Sequence, residues 1–389
     1  MVYGLILIYL FVNAVMYDVN SFYHRRRNLN IFLSYLILAL VAGMRYKLGS
    51  DGFAYEYLFE TEVKDLANLD FDYFSDSRNQ PIWDLLQSTA KSFGSFLFLQ
   101  LFVSFFAVFS VYFFLRKNTP YVSTVTLLFY VAFYHYFTVE ILKESLAISL
   151  FLFAMTFFRE RKTLSFILCV ISFFVHQFAL ITLVIYFLLR LNLSFKAVVL
   201  TLLVFAWAIF IFQEPLEFIA VIFSVVKSVD LSNLYLDVNL SGFGYLLYFI
   251  KILLPILLVY YCHSRKLVIA SSIDNKVFYT FCAIISCFYI IRITSVPYFE
   301  RVINYFEIFY LLIGAFVVIS FLRRQELVIR NIVFSWFIFS TIIFSWAPLF
   351  RPDPTTGIPG YVRYYPYYSH LNPAEDPRRE VAVSLRFSL

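Results

Sequence analysis

The stretch from residue 44 to 59, MRYKLGSDGFAYEYLF, places charged side chains directly after a long apolar run. It contains Arg45 and Asp51, together with the glycines Gly49 and Gly52. A guanidinium suits a phosphate or carboxylate group, because it presents several donors in one plane. A nearby aspartate can accept a proton, or it can hold the arginine in place. The glycines predict a turn that folds this segment back over the polar side chains.

A second polar group stands at the start of a later apolar run. Glu140, Lys143 and Glu144 have the spacing i, i+3 and i+4, which predicts one helical face carrying all three side chains. The lysine offers a point charge to an anion, and a glutamate can accept a proton. An ion pair between Glu140 and Lys143 within the helix explains the same pattern without a function.

The remaining ionisable groups in apolar sequence form a third set. His176 and Lys251 each lie within an apolar run. Arg301, Asn304 and Tyr305 follow, and their spacing predicts a shared helical face. Ionisable side chains within membrane spans are costly and often mark function. A packed histidine or a structural ion pair is the alternative for each of these residues taken singly.

The composition predicts an integral membrane protein built from helices. Of 389 residues, 61% are hydrophobic and 14% are charged, and the mean hydropathy is +0.78. Soluble globular proteins carry about 25% charged residues. The net charge of +6 is distributed in small basic clusters between apolar runs, which indicates membrane orientation and gives no support for nucleic acid as a partner. We therefore expect an all-α, polytopic helical bundle in the lipid bilayer.

Eleven apolar runs are long enough to be membrane segments. They cover residues 2–21, 30–44, 95–115, 120–138, 139–158, 163–189, 194–212, 243–262, 277–293, 302–322 and 328–348. Placing all the basic clusters between them in the cytoplasm satisfies the positive-inside rule only if the sixth run forms two short helices with a hinge near His176. The sequence thus predicts about twelve membrane segments, with both termini on the outer side.

We expect a transmembrane bundle over residues 1–348 and an outer tail rich in Pro and Tyr over residues 349–389. Two outer loops, 45–94 and 213–242, interrupt the bundle, and residues 81–93 have the pattern of an amphipathic surface helix. The four cysteines lie in or beside apolar runs without metal-ligand or redox spacing, so we interpret them as buried thiols. The sequence predicts no metal site and no cofactor.

The predicted orientation places the polar groups near the outer ends of their helices, which favours a polar cavity that opens outwards. Basic side chains at membrane depth suit a phosphate or pyrophosphate. The many Tyr and Phe residues suit sugar rings and an isoprenoid chain. Nucleotide sugars are cytoplasmic donors, so a lipid-linked sugar on the outer face fits this orientation better.

Four segments resemble those of the EpsG-type polysaccharide polymerases, which are relatives of the Wzy O-antigen polymerases of the bacterial inner membrane. They are residues 45–55 (RYKLGSDGFAY), residues 140–147 (EILKESLA), the surroundings of His176, and residues 300–306 (ERVINYF). Their order and spacing cover most of the chain. Lysine stands at position 143 where the family usually has arginine, and glutamates stand at 140 and 144 where it has amides.

The resemblance implies a multi-pass enzyme of the bacterial inner membrane that extends exopolysaccharide, capsule or O-antigen. Two oligosaccharides linked to polyprenyl pyrophosphate would meet on the outer face, where a hydroxyl of one displaces the lipid pyrophosphate of the other. Such an enzyme is expected to work with a flippase and a chain-length regulator. The implied clamp for the pyrophosphate consists of Arg45, Lys143 and Arg301. The candidates for the catalytic residue that handles the proton are Asp51, Glu144 and His176. Further candidates for substrate binding are Tyr55, Glu140, Lys251, Asn304 and Tyr305.

Three other functions stay open on the sequence alone. Asp70-Phe71-Asp72 has the Asp-x-Asp form of a divalent-cation site in lipid-phosphate glycosyltransferases, although an acidic solvated loop has the same composition. A flippase for lipid-linked oligosaccharides is expected to show internal pseudo-symmetry, which this chain does not show clearly. An acyltransferase is expected to carry its catalytic histidine nearer the cytoplasmic face.

Overall fold

The structure is a computed structural model that describes residues 2–22, 25–70, 73, 80–190, 196–197, 200, 204, 242–264, 275–294, 298–352 and 357–381. Within these ranges the secondary structure is helical, with isolated antiparallel bridges and no sheet. The all-α fold predicted from the sequence is confirmed for the described part of the chain.

Most helix bounds follow the predicted apolar runs, but the predicted run 302–322 is divided by a turn at Tyr305 and Phe306. The first half contains α1 (Val2–Asn13), α2 (Arg27–Gly43), α3 (Ser50–Thr61), α4 (Pro81–Ser92), α5 (Phe96–Asn118), α6 (Val122–Phe129), α7 (Leu142–Phe157), α8 (Lys162–Val175) and α9 (Leu180–Arg190). The second half contains α10 (Gly242–Ser264), α11 (Asn275–Thr294), α12 (Tyr298–Asn304), α13 (Glu307–Leu322) and α14 (Leu327–Trp346). Most of the predicted run 194–212 and all but the last residue of the predicted loop 213–242 lie outside the described residues.

Three helical segments in the described ranges are long and apolar enough to cross a membrane: Val2–Val19, Phe96–Asn118 and Leu327–Phe350. Shorter apolar helices accompany them, among them Arg27–Gly43 and Glu307–Leu322. The length and composition of these helices indicate a multi-pass membrane protein.

The predicted break in the run 163–189 is confirmed. Helix α8 ends at Val175, His176 takes an extended backbone conformation (φ −148°, ψ 127°), and α9 begins four residues later at Leu180. The hydroxyl of Tyr186 near the end of α9 donates to the carbonyl of Lys162 at the start of α8, at 3.0 Å. The two helices therefore pack antiparallel as a hairpin with His176 at its tip.

A buried aspartate joins several helix ends at the side that is predicted to be cytoplasmic. Asp18 is fully buried, and its carboxylate accepts hydrogen bonds from Arg27 at 3.1 Å and from the backbone N–H of Thr124 at 2.7 Å. The carbonyl of the same residue accepts from Arg323 at 3.0 Å. These contacts bring the start of α2, the start of α6 and the end of α13 to the helical segment that follows α1.

The first outer loop is largely helical. The surface helix predicted over residues 81–93 is confirmed as α4, which packs on α3 through Lys91, whose Nζ donates to the carbonyl of Phe59 at 2.9 Å. Trp83 and Asp84 of α4 are buried, whereas Leu85 is 47% exposed. Part of the apolar face of α4 therefore points away from the protein, as a helix at a lipid interface requires.

The chain forms two compact units. The first comprises Met1–Arg116, Pro120–Ser149 and Val318–Leu389, and the second comprises Lys117–Thr119 and Leu150–Val317. The described tail residues belong to the first unit, together with α1 to α6. The four cysteines, Cys169, Cys262, Cys282 and Cys287, are all free and buried in the second unit, as predicted.

Candidate functional site

Arg45 lies directly after α2 and is buried, with 1% of its surface exposed. Its Nη1 donates to the carbonyl of Ala42 and to Oγ of Ser104, the latter at 3.2 Å. Its Nε and Nη2 are buried and have no hydrogen-bond partner in the described part of the chain. Burial lowers the pKa of Arg45 to about 10, so the guanidinium still carries its charge at neutral pH. Two buried donor nitrogens therefore remain available to an anion.

The turn predicted after Arg45 forms at Gly49. This residue has φ +79° and ψ 154°, a conformation essentially restricted to glycine, and it begins α3. A Cβ atom there would lie 2.7 Å from Cγ1 of Val139 and 3.4 Å from Cδ of Glu140. The glycine thus lets the Arg45 segment pack directly against Glu140. The prediction of a turn at Gly52 was wrong, because Gly52 lies within α3.

The segment around Glu140 is not one continuous α-helix. After α6 the chain continues through two π-helical turns, Tyr130–Tyr134 and Tyr136–Glu140. Ile141 then leaves the helical conformation (φ −106°, ψ 51°), and α7 starts at the next residue. The predicted single face of Glu140, Lys143 and Glu144 was therefore wrong. Wider π turns and the break at Ile141 shift Glu140 off the face of α7, whose first turn carries the other two residues.

Both glutamates of this segment are buried. Glu140 is 6% exposed and Glu144 is 2% exposed, while Lys143 is half-buried. Glu140 accepts a hydrogen bond from the hydroxyl of Tyr364 in the tail. Burial raises the pKa of Tyr364, and the negative charge of Glu140 raises it further. The first unit therefore brings two of the predicted site residues, Arg45 and Glu140, to adjacent segments.

The other residues predicted in the first outer loop are less constrained. Asp51 lies in the first turn of α3, and its side chain lies outside the described residues. Tyr55 is half-buried, and its ring packs against Trp83 with 5.7 Å between ring centroids. Asp70 accepts hydrogen bonds from Lys64 at 3.1 Å and from the backbone of Tyr73 at 2.8 Å, whereas Asp72 lies outside the described residues.

The second unit brings the third and fourth segments together. His176 is 5% exposed, and its Nδ1 lies 3.4 Å from the hydroxyl of Tyr305. Tyr305 is fully buried in the turn between α12 and α13, beside the ring of Phe151. A histidine that hydrogen-bonds to a tyrosine hydroxyl can hold or transfer a proton.

The remaining predicted residues of the second unit differ in exposure. Arg301 is exposed, whereas Asn304 is 7% exposed and Tyr305 is buried. The prediction that they share one helical face was wrong, because α12 ends at Asn304 and Tyr305 belongs to a tight turn whose N–H bonds to the carbonyl of Val302 at 3.3 Å. Lys251 is exposed on α10, with Nζ 5.3 Å from the ring centroid of Tyr289.

A model of the EpsG family matches residues 28–369, which include all four of these segments. The chain belongs to the EpsG family. Membership of this family suggests a role in exopolysaccharide biosynthesis. Comparisons with curated proteins and with solved structures gave no match.

The tail is the part of this EpsG-family site that sequence reasoning missed. Its backbone pairs with the Arg45 segment: the N–H of Tyr46 donates to the carbonyl of Tyr368 at 3.0 Å, and the N–H of His370 donates to that of Met44 at 2.9 Å. The N–H of Gly49 donates to the carbonyl of Arg363 at 3.0 Å. These contacts depend on backbone groups, so the only signal in the sequence was the concentration of Tyr and Pro from residue 361 to 368.

His135 is a second feature of the EpsG-family chain to which the sequence gave no role. Its ring packs among aromatic rings of four elements, with centroid distances of 4.8 Å to Tyr3, 5.4 Å to Tyr130, 6.1 Å to Trp346 and 5.8 Å to Tyr364. Tyr364 also bonds to Glu140, so this cluster connects the tail with the second segment. The ring of His135 therefore packs α1, the first π-helical turn, α14 and the tail against one another.

Proposed function

We propose that this EpsG-family chain is a membrane glycosyltransferase that joins oligosaccharide repeat units, carried on polyprenyl pyrophosphate, into a polysaccharide chain. The family supports a role in making exopolysaccharide, and the chemistry of the Arg45 segment supports the choice of reaction and substrate. Capsule and O-antigen chains are alternative products of the same reaction.

The observation that carries the proposal is the buried guanidinium of Arg45. Buried donors in folded proteins nearly always have a hydrogen-bond partner, and an orphaned one calls for an explanation. Arg45 leaves Nε and Nη2 without one in the described residues, and these two nitrogens form one side of the guanidinium fork. That side matches two oxygens of a phosphate or pyrophosphate. A pyrophosphate leaving group would satisfy both donors.

The proposed reaction needs a stabilised leaving group and a proton acceptor. The acceptor hydroxyl oxygen bonds to the anomeric carbon of the donor, while the bond from that carbon to the pyrophosphate oxygen breaks. The electron pair of the broken bond stays on the polyprenyl pyrophosphate, whose negative charge Arg45 stabilises. The hydroxyl proton passes to a base, for which the buried carboxylate of Glu144 is the candidate in the first unit. Asp51 and His176 are the other candidates, and Lys143 and Arg301 are further candidates for the clamp.

We also propose the membrane arrangement that this reaction requires. About twelve segments cross the bacterial inner membrane, with both termini and the Arg45 segment on the outer face, where flipped lipid-linked repeats are found. The antiparallel α8–α9 hairpin supports this arrangement, because a turn at His176 returns the chain to the side from which it came. A flippase that supplies the repeats and a chain-length regulator are the proposed partners.

The test compares Arg45→Ala and Arg45→Lys in membranes supplied with the lipid-linked repeat unit. Loss of two charge-assisted hydrogen bonds, worth about 1.5–3 kcal/mol each, predicts that Arg45→Ala polymerises at least about 100-fold more slowly. Arg45→Lys keeps the charge without the fork and is expected to recover about tenfold. The control is Arg116→Ala in the same unit, because Arg116 donates to Tyr112 of its own helix at 2.8 Å.

Full polymer length from Arg45→Ala, at a normal protein level, would remove Arg45 from the mechanism. The whole proposal is tested by the glycan of a deletion strain. Single lipid-linked repeats on the outer face without polymer support a polymerase, whereas the absence of repeats from the outer face would show a flippase instead. Activity that is lost in EDTA would favour the metal-dependent alternative.

A further inference from the structure

The segment from Met44 to Gly49 is held by the tail along its whole length. Arg45 and Ser369 form an isolated antiparallel β-bridge. The backbone hydrogen bonds from Tyr46 to Tyr368 and from His370 to Met44 lie on either side of it. The rings of Tyr46 and His370 pack edge to face with 5.3 Å between centroids. The family match ends at residue 369, so the residues that complete this contact lie beyond it.

Arg379 lies beyond the family match and contacts both segments. It is 1% exposed, and its guanidinium donates to three backbone carbonyls: Lys47 at 3.1 Å, Val362 at 3.0 Å and Pro366 at 2.8 Å. Its guanidinium carbon also lies 5.4 Å from the ring centroid of Tyr368. One side chain thus uses Nε, Nη1 and Nη2 to connect the Arg45 segment with two turns of the tail.

The carbonyl that Arg379 binds in the Arg45 segment belongs to a strained residue. Lys47 has φ +44°, in the left-handed region that side chains other than glycine rarely adopt. Gly49 has a positive φ as well, so the backbone between Arg45 and α3 takes a path that local preferences disfavour. Such a path persists when surrounding contacts hold it, and Arg379 supplies a charge-assisted contact at the strained residue itself.

We propose that Arg379 is a positioning residue for Arg45. It fixes the backbone of residues 44–49 against the tail, and it thereby holds the guanidinium of Arg45 in place for the anionic leaving group. Its effect on the reaction rests on the proposed function, whereas its effect on the position of the loop does not. Arg379 itself contacts backbone carbonyls and an aromatic ring, and it has no direct contact with substrate in this proposal.

The experiment uses the full-length protein in membranes, with two cysteines introduced by Tyr46→Cys and His370→Cys. A short bis-maleimide cross-links the two positions when the tail lies on the loop, and the native cysteines are buried. The pair is placed in four backgrounds: unchanged, Arg379→Ala, Arg379→Lys and Arg378→Ala. The last is the matched control, because Arg378 is the neighbouring arginine, is exposed, and bonds to Asp376 two residues away at 3.0 Å.

We expect Arg379→Ala to slow cross-linking at least about tenfold, because the charge-assisted bonds across the contact are lost. The rate of polymerisation by Arg379→Ala without the introduced cysteines should fall by about 10- to 100-fold. We expect kcat to fall more than KM rises, because the displaced Arg45 guanidinium acts on the leaving group. Arg379→Lys should give intermediate values for both, since one ammonium cannot reach all three carbonyls. Arg378→Ala should match the unchanged protein.

Each outcome decides the proposal. Unchanged cross-linking in Arg379→Ala overturns it, whatever happens to polymerisation. Slower cross-linking with undiminished polymerisation also overturns it, because the position of the loop would then not matter for the reaction. If Arg379→Ala cross-links more slowly and the protein without substitutions makes no polymer, the structural role of Arg379 is supported and the proposed function is refuted. If Arg379→Ala does not accumulate, the intermediate rate of Arg379→Lys tests the same point.

Discussion

Replacement of Gly49 by alanine tests whether the Arg45 and Glu140 segments touch as described. The backbone of Gly49 combines φ +79° with ψ 154°, and the added methyl group would meet Val139 on both its side chain, at 2.7 Å, and its carbonyl oxygen, at 3.1 Å. Val139 is buried and β-branched, so its methyl group cannot rotate freely out of the way. The substitution therefore strains the backbone and overpacks the contact at once.

The two costs can be separated. A residue other than glycine in this region of φ and ψ costs about 1–3 kcal/mol. An extra methyl group in a packed contact costs about 1–3 kcal/mol. We expect Gly49→Ala to lower the free energy of unfolding by about 3–4 kcal/mol. Gly94→Ala is the control for the first cost, because Gly94 has φ +80° and its Cβ would meet nothing within 4 Å.

The assay is unfolding of the purified protein in mixed micelles, titrated with SDS, for Gly49→Ala, Val139→Ala and the double variant. Removal of the Val139 side chain takes away the closest clash, so the double variant should be more stable than the sum of the single costs predicts, by about 1–2 kcal/mol. Gly49→Ala with a free energy of unfolding within about 0.5 kcal/mol of the original would refute the packing of the two segments.

Two further predictions concern the acidic residues at either end of the first unit. Hydrogen bonds from Arg378 hold the pKa of Asp376 below its ordinary value. The stability that these bonds give to the local turn after Asp376 is therefore present at neutral pH and is lost as the pH falls through that lowered pKa. Amide hydrogen exchange of residues 376–381, corrected for its intrinsic pH dependence, should accelerate below about pH 4, and Asp376→Asn should abolish that change. Asp18→Ala should lower the free energy of unfolding by about 3 kcal/mol, because it leaves the partners of a buried carboxylate without their acceptor. Asp70→Ala, which removes an exposed ion pair, should change this free energy by less than about 1 kcal/mol. Equal effects of the two substitutions would show that the Asp18 contacts do not form.

The helices could be predicted because the apolar runs of a membrane protein fix where helices begin and end. The break at His176 followed from charge alone, since a single crossing over residues 163–189 would have put every later basic cluster on the wrong side. The structure places an extended residue at that position. The outward-facing cavity and the orientation of the chain are not tested by helix positions, so they stay predictions.

The candidate site could be predicted in part. Arg45 was selected as a cation at a membrane edge, and the structure adds that two of its nitrogens are buried without partners. The prediction that Glu140 and Lys143 share one helical face was wrong, because residue spacing predicts a shared face only on a regular α-helix and π turns have a different period. The tail was missed because most of its hydrogen bonds to residues 44–49 use backbone groups, which leave no pattern of side chains in the sequence.

The contact of Arg379 with Lys47 also has a consequence for how the protein is made. The two residues are 332 positions apart, and a ribosome that adds about 5–20 residues per second needs roughly 20–60 s to cover that distance. During this interval the loop after α2 has already been synthesised, but the tail that holds its strained backbone has not. A chain that terminates before residue 379 lacks the hydrogen bonds of Arg379 to the loop and the tail, even if every helix has entered the membrane. The loop is thus translated early, but it can reach its final structure only after the tail has been synthesised.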